Sequence, residues 1–250
     1  MYYLIKYGYD GKSFCGFQRD NGDNSVENTI LKILKNYGIS DNMESAARTD
    51  KNVSAAGNVF LINTEENIEK IMKILNSQIK NMFFYAYFKS IAYINPRHNE
   101  LKRYSYIISK KYDINTMMKI LKKFIGTHDF INFCRKDNRN TIRTIENINY
   151  DELQDFFLIN FYGRSFIWHQ IRNIMGFAIK YYNTDIDPFL LKSHFSYISK
   201  PDQLILMDIV YKGIEFKKFR SIYSKKYIEN RLININTEKI IYDVFYNLNK

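Results

Sequence analysis

Strand-like and helical segments alternate along this chain, and their order constrains the fold more than any other feature. An aromatic and β-branched strand segment at residues 2–9 is followed by a helical stripe, strand segments at 43–49 and 57–63, a second helical stripe and a strand at 83–93. Strand, helix, strand, strand, helix, strand is the order of a ferredoxin-like unit. The first part of the chain is therefore predicted to form such a unit, with its helices on one side of the sheet.

The two helices of this unit are predicted from apolar spacing and end signals. In SVENTILKILKNYG, apolar residues recur at helical spacing, Ser25 suits the N-terminal cap and Gly38 suits the stop. In EENIEKIMKILNSQI the same spacing recurs, and Glu65 and Glu66 are expected in the first turn, where the helix dipole favours anions.

The second half repeats this order of elements. Strands are predicted at 103–109, 141–150, 155–162 and 203–211, helices at 115–126 and 166–182, and a short inserted helix after Pro188. We therefore predict an α+β fold of two ferredoxin-like halves with a joined, mainly antiparallel sheet and a central cleft, where a ligand commonly binds. The predicted units are an N-terminal subdomain at 1–95, a C-terminal subdomain at 96–212 and a basic extension at 213–250.

The charge balance indicates a polyanionic partner. Thirty-seven Lys and Arg oppose 26 Asp and Glu, which gives a net charge of +11, and 16% of the residues are aromatic. This combination is typical of nucleic-acid-binding proteins, although a basic protein without such a partner remains an open alternative. In the extension, FKKFRSIYSKKYIENR is either an RNA-contacting segment or a peripheral helix with a charged outer face, and the pattern slightly favours the helix.

The sequence gives no sign of a cofactor, a metal or a membrane. Cys15, Cys134 and the four His residues have no metal-ligand spacing, and no P-loop, GxGxxG or HExxH pattern is present. We expect no disulfide framework, which fits a cytoplasmic location. We also expect no signal peptide and no membrane span, because no apolar run is long enough. His169, beside Trp168, is expected to serve the structure and not the chemistry.

The charged cluster before the small-residue run SAAG raises a question of chemistry. Asp50 lies between Arg48 and Lys51 in ARTDKNVSAAGNV. A carboxylate that attacks carbon must be ionised and poorly hydrated, and a nearby cation within water-excluding walls provides both conditions. Neighbouring strand side chains point to opposite faces, so the better partner is a cation from the other half, for which Arg172 qualifies. Two alternatives stay open: a solvated turn at the cluster, and an Arg172 that extends to solvent.

Seven segments resemble, in the same order, those of the TruA-type tRNA pseudouridine synthases. They are GYDGKSFCGFQRD, SVENTILKIL, ARTDKNVSAAGNV, PRHNELKRYSYII, FIGTHDFINF, GRSFIWHQIRNIMG and LILMDIVY. The resemblance covers residues 1–212, and the lysine that follows the aspartate in ARTDK is similar to the archaeal and eukaryotic branch. It implies the pseudouridine synthase fold and an enzyme that isomerises uridine to pseudouridine in tRNA, in the anticodon arm at positions 38–40, with no cofactor and no metal.

The resemblance also implies roles for individual residues. Asp50 matches the catalytic aspartate, and Arg172 matches the arginine that pairs with it. Tyr104 matches the tyrosine that packs against the flipped uracil, and Arg48 the arginine that helps displace the target base. Bacterial relatives are dimers whereas some eukaryotic relatives act alone, so a homodimer is a candidate assembly. The rival hypothesis is a non-catalytic RNA-binding protein built from paired ferredoxin-like units.

Three residues of the ARTDK segment depart from the family pattern. Ala47 and Asn52 stand where the family usually has glycine, and Ser54 stands where many members have histidine. Asn tolerates a left-handed backbone, so the turn after Asp50 is expected to survive.

Basic residues outside the cluster are predicted to follow the tRNA backbone. These are Lys12, Arg19, Arg135, Lys136, Arg139 and Arg143.

Overall fold

The computed structural model describes residues 1–135 and 140–248. The first half comprises β1 (Tyr2–Tyr9), α1 (Val26–Asn36), β2 (Glu44–Ser45), β3 (Ser54–Asn63), α2 (Ile68–Gln78) and β4 (Met82–Ser90). The second half comprises β5 (Leu101–Ser109), α3 (Ile114–Leu121), β6 (Gly126–Asp129), β7 (Ile142–Ile145), β8 (Asn147–Glu152), β9 (Phe156–Gly163), α4 (Gln170–Lys180) and β10 (Leu204–Val210). The chain continues into β11 (Lys217–Lys218) and α5 (Ile222–Leu248).

One large sheet joins the two halves. Its strand order is β11-β4-β1-β3-β10-β5-β9-β8, and β2 pairs with β3 beside this path. Each half therefore repeats the same arrangement, β4-β1-β3-β2 in the first and β10-β5-β9-β8 in the second. All pairs are antiparallel except β3 with β10. The predicted α+β fold of two ferredoxin-like halves with a joined sheet is confirmed.

The seam between the halves is short and tightly packed. Strand β3 uses its first residues, Ser54 and Ala55, to pair with β10, and its last part to pair with β2. At Gly57 an added Cβ would lie 2.6 Å from the carbonyl oxygen of Met207 on β10. A side chain does not fit at this distance, so Gly57 allows the two backbones to approach as they do.

Most predicted elements are present, although several are shorter than predicted: the helices expected at 115–126 and 166–182 are Ile114–Leu121 and Gln170–Lys180, and the strand expected at 43–49 is Glu44–Ser45. Two further predictions are wrong. Helix α2 begins at Ile68, because the Asn67 side chain accepts hydrogen bonds from the backbone of Glu69 and Lys70 and caps the helix. The expectation that Glu65 and Glu66 occupy its first turn is therefore wrong.

The strand predicted at 141–150 is two strands, β7 and β8. Strand β7 pairs with β6 in a separate two-stranded sheet, whereas β8 pairs with β9 in the main sheet. The prediction of one continuous strand is wrong because β6 pairs with the first part of the segment outside the main sheet.

The extension forms the peripheral helix that the sequence favoured. Ser224 Oγ donates to Asn76 Oδ1 of α2 at 2.6 Å, and Lys239 Nζ lies 3.6 Å from Asp155 Oδ2 at the β8–β9 turn. The helix surface also exposes apolar side chains such as Ile233, which the prediction of a charged outer face did not include.

In the described part of the chain no helix is long and apolar enough to cross a membrane. The unit boundaries 1–95, 96–212 and 213–250 stay predictions.

Candidate active site

The turn that carries Asp50 is fixed at several points between β2 and β3. The Val53 amide donates to the Asp50 carbonyl at 3.1 Å, and Asn52 has a left-handed backbone with φ of 68°. Asn adopts this conformation more readily than most residues, so the turn forms without the family's glycine. Thr49 Oγ1 lies 2.8 Å from the Tyr9 hydroxyl at the end of β1. The carboxylate is therefore presented by a turn whose backbone is held on both sides.

Close contact with the chain after β1 holds the other end of this turn. The Gly11 amide donates to Ser54 Oγ at 3.0 Å, and a Cβ at Gly11 would lie 2.3 Å from the Val53 carbonyl oxygen. Gly11 thus lets the backbone pack directly against the turn.

The Asp50 carboxylate forms an ion pair with Arg172 from the other half. Arg172 Nη1 donates to Asp50 Oδ2 at 2.8 Å, and the exposed fractions of the two side chains are 11% and 19% for Arg172 and Asp50. The Arg172 Nε donates to the Ser199 carbonyl at 3.0 Å, which fixes the guanidinium plane. This charge-assisted hydrogen bond orients the carboxylate toward the cation of the other half.

His169 lies against the same carboxylate oxygen, a contact that the sequence analysis missed. Its Nε2 is 3.4 Å from Asp50 Oδ2, and its backbone is left-handed with φ of 67° just before α4 begins. Burial is the largest cause that lowers the His169 pKa; Arg172 and Arg135 lower it further, and Asp50 opposes them. The imidazole is therefore neutral at neutral pH. No pattern in the sequence indicated this contact, because His169 lies before α4 and not on its face.

The contacts around Asp50 favour one of its two oxygens for chemistry. Among the described residues, Arg172 and His169 both approach Oδ2. Oδ1 is therefore the oxygen left for a substrate.

Tyr104 lies beside this pair on β5. Its ring meets Phe166 edge to face with the centroids 5.3 Å apart, and Leu206 is its register partner on the neighbouring strand β10 of the same half. Burial, with smaller contributions from Tyr9 and Asp50, raises the Tyr104 pKa, so its hydroxyl stays protonated. The ring and the fully buried Leu206 provide an apolar wall next to Asp50.

Two cations of the second half hold the backbone that precedes the Asp50 turn. Lys102 Nζ donates to the Ala46 carbonyl at 2.9 Å, and Arg97 Nε donates to the Ser45 carbonyl at 3.5 Å. Burial, with a smaller contribution from Arg97, lowers the pKa of Lys102 to about 8. Lys102 was not among the expected site residues.

The lowered pKa of Lys102 predicts a pH-dependent stability. The unfolded chain keeps this proton up to the ordinary value of 10.5, whereas the folded protein releases it at about 8. The free energy of unfolding of the wild type, relative to Lys102→Met, should therefore rise between those pH values, by up to roughly 3 kcal/mol. Denaturant unfolding of both proteins across this range checks it, and a difference that does not change with pH would contradict the assignment.

The remaining predicted RNA contacts lie on the surface in varied settings. Arg48 is exposed beside the Asp50 turn. Lys12 Nζ is 3.2 Å from Asp202 Oδ2, and Arg19 contacts Glu27.

The other predicted cations include Arg143 and two residues that precede it in the sequence, Lys136 and Arg139. The Arg143 Nη1 donates to the carbonyls of Asn140 and Ile142 at 2.8 and 2.7 Å. Lys136 and Arg139 lie outside the described residues. The structure thus brings Asp50, Arg172 and Tyr104 together, whereas Lys12, Arg19 and Arg143 each contact other residues.

Comparison with known proteins identifies the family. A sequence model described as tRNA pseudouridine synthase matches residues 120–212. A protein of Picrophilus torridus named tRNA pseudouridine synthase A is 52% identical over 98% of this chain and 95% of its own length. Proteins with the same name from Thermoplasma acidophilum and Pyrococcus horikoshii are 40% and 33% identical over 93% and 92% of this chain, and over 93% and 95% of their own lengths.

A solved structure described as an archaeal box H/ACA sRNP Nop10-Cbf5 complex aligns with a TM-score of 0.38 and 11% identity, over 69% of this chain and 41% of that one.

Relatives that are 52% and 40% identical over 98% and 93% of the chain show its class, the pseudouridine synthases. The chain belongs to the tRNA pseudouridine synthase family of the TruA type, and it is an isomerase, as the sequence resemblance implied.

Proposed function

We propose that this enzyme isomerises uridine to pseudouridine in tRNA in the cytoplasm, at positions 38–40 of the anticodon arm, with Asp50 as the nucleophile. The observation that carries the proposal is the 2.8 Å ion pair between Asp50 and Arg172, one residue from each half, in a site lined by Tyr104. The relatives' name supports tRNA as the substrate. The assignment of the modified positions to the anticodon arm depends on the resemblance to the TruA type.

The target uridine must leave its stack before Asp50 can reach it. Extrusion of a base costs a few kcal/mol, and an enzyme offsets this cost with contacts to the displaced nucleotide and its neighbours. Arg48, which is exposed beside the site, occupies the vacated space in this proposal and holds a phosphate. Tyr104 is placed to cover the uracil ring inside the pocket.

The isomerisation exchanges one glycosidic bond for another. The bond between uracil N1 and ribose C1′ breaks, the ring turns, C5 bonds to C1′, and the C5 proton passes to water while N1 gains a proton. Asp50 Oδ1 begins this exchange either by adding to uracil C6 or by acting at the ribose, with a glycal intermediate. Arg172 and the neutral His169 hold Oδ2, and the apolar wall excludes water that would trap the intermediate.

Release of tritium from C5-labelled uridine in an unmodified tRNA transcript tests this function. We expect release by the wild-type protein, because formation of the C5–C1′ bond expels the C5 hydrogen. A second transcript with cytidine at positions 38–40 should release none. Release from both transcripts would refute the anticodon-arm assignment, and release from neither would refute tRNA pseudouridylation.

A further inference from the structure

The rim of the site carries an exposed tryptophan. Trp168 is the only tryptophan of the chain, and 40% of its surface is exposed. It lies between β9 and α4, and the next residue, His169, contacts Asp50. An indole is large and apolar, so its exposure next to a reaction centre indicates a surface that is covered when the substrate is bound.

Arg135 holds this indole in place. The guanidinium carbon lies 4.0 Å from the indole centroid, and the Arg135 amide donates to the Trp168 carbonyl at 2.9 Å. The two residues come from separate segments, so a backbone bond and a cation–π contact together fix the ring. In the described part of the chain no carboxylate pairs with Arg135. Its charge is therefore open to an anion.

A base that has lost its neighbour needs a new stacking partner. When the target uridine leaves the helix, each adjacent nucleotide exposes one face of its base. Proteins that bind unstacked bases combine an aromatic face with Arg or Lys for the phosphates, and this combination tolerates any base. Arg164 is exposed in the same β9–α4 segment and adds a second positive charge.

We propose that Trp168 and Arg135 form a stacking platform that takes a nucleotide adjacent to the target uridine, with the base on the indole and the phosphate on the guanidinium. The platform rests on the proposed function, since it assumes an RNA substrate whose target base is extruded at Asp50. The platform contributes part of the RNA affinity, and this contribution does not depend on the reaction inside the pocket.

The single tryptophan makes the platform directly measurable. Fluorescence of Trp168 is followed while the full-length protein is titrated with tRNA transcript, and anisotropy of end-labelled transcript records binding independently. We expect the bound RNA to quench the Trp168 emission and to shield the indole from acrylamide. The quenching should saturate with the same Kd that anisotropy gives. Binding seen by anisotropy with unchanged emission and unchanged acrylamide access would overturn the platform.

Substitution separates stacking from a purely structural role. Trp168→Ala should raise KM by about tenfold with kcat nearly unchanged, because stacking of one base contributes on the order of 1–3 kcal/mol. Trp168→Phe, which keeps an aromatic face, should recover most of the loss. Tyr150→Ala is the matched control, since Tyr150 is 38% exposed on the edge strand β8, and its KM should not change.

The possible results distinguish a failure of the stacking platform from a failure of the proposed function. If Trp168→Ala and the wild type share one KM, or if Phe restores nothing while circular dichroism shows a folded protein, the platform is refuted. RNA that quenches Trp168 without forming pseudouridine would show base stacking at Trp168 but refute the proposed function, and with it the assignment of the stacked nucleotide as a neighbour of the target uridine. An absence of RNA binding by anisotropy would refute both.

Discussion

Asp50→Asn is expected to lower the rate of pseudouridine formation by at least about 10⁴-fold, the scale seen when an enzyme loses its nucleophile. Asparagine has nearly the shape of aspartate, but its amide cannot attack uracil C6 or act at C1′. The Asp50 turn should be preserved, because its bonds run through the backbone and through Thr49 and Tyr9. Single-turnover tritium release with excess enzyme gives the rate, and filter binding gives tRNA affinity, which should stay within a few fold.

Asp208→Asn is the matched control for this substitution. Asp208 lies on β10 beside the seam and forms its own ion pair, with its Oδ1 2.5 Å from Lys6 Nζ. The same chemical change at this position should leave the rate of tritium release within a few fold of the wild type. If Asp50→Asn kept a rate comparable with that of Asp208→Asn, Asp50 would not be the nucleophile.

Arg172→Met is expected to impair both stability and catalysis. The methionine fills part of the space but leaves the Asp50 carboxylate without its cation and the Ser199 carbonyl without its donor. The loss of one partner from a largely buried pair costs about 3–5 kcal/mol in well-buried cases, and the 19% exposure of Asp50 reduces this to about 1–3 kcal/mol. The catalytic rate should fall by about 10²–10³-fold, because the carboxylate loses its orientation.

Denaturant unfolding checks the predicted loss of stability, and single-turnover kinetics check the predicted loss of catalytic rate. Arg19→Met is the control for stability, since Arg19 pairs with Glu27 on the surface with 44% of its side chain exposed. A surface pair contributes about 0–1 kcal/mol, so this control should unfold almost like the wild type. Equal stability losses in the two variants would contradict the structural importance of the Asp50–Arg172 pair.

The sequence predicted the framework and the pairing of the two central charges, for physical reasons. The order of periods two and 3.6 defines two ferredoxin-like units, and each unit has a fixed strand order, so the joined sheet follows. A carboxylate in a dry site requires a cation, and the strand geometry of its neighbours pointed to the other half. The 2.8 Å contact with Arg172 agrees with that reasoning. Asn52 adopts the left-handed backbone that its residue type allowed.

The features that the sequence did not predict depend on contacts between distant segments. His169 reaches Asp50 only because a left-handed residue turns the chain before α4. Lys102 is buried because the β2 backbone of the other half covers it, and no local pattern contains that information. The split of residues 141–150 depends on pairing with β6. The Asn67 cap, by contrast, could have been predicted from the sequence, since Asn is a preferred N-cap residue.

The most direct test of the central claim is the single-turnover rate of tritium release from tRNA, measured for the wild type, Asp50→Asn, Arg172→Met and the double variant. If Arg172 acts by holding the Asp50 carboxylate, the double variant should be no slower than Asp50→Asn alone, because Arg172 then has no nucleophile to orient. Two independent losses that multiply in the double variant, or a wild-type rate in Asp50→Asn, would contradict a reaction centre formed by this pair.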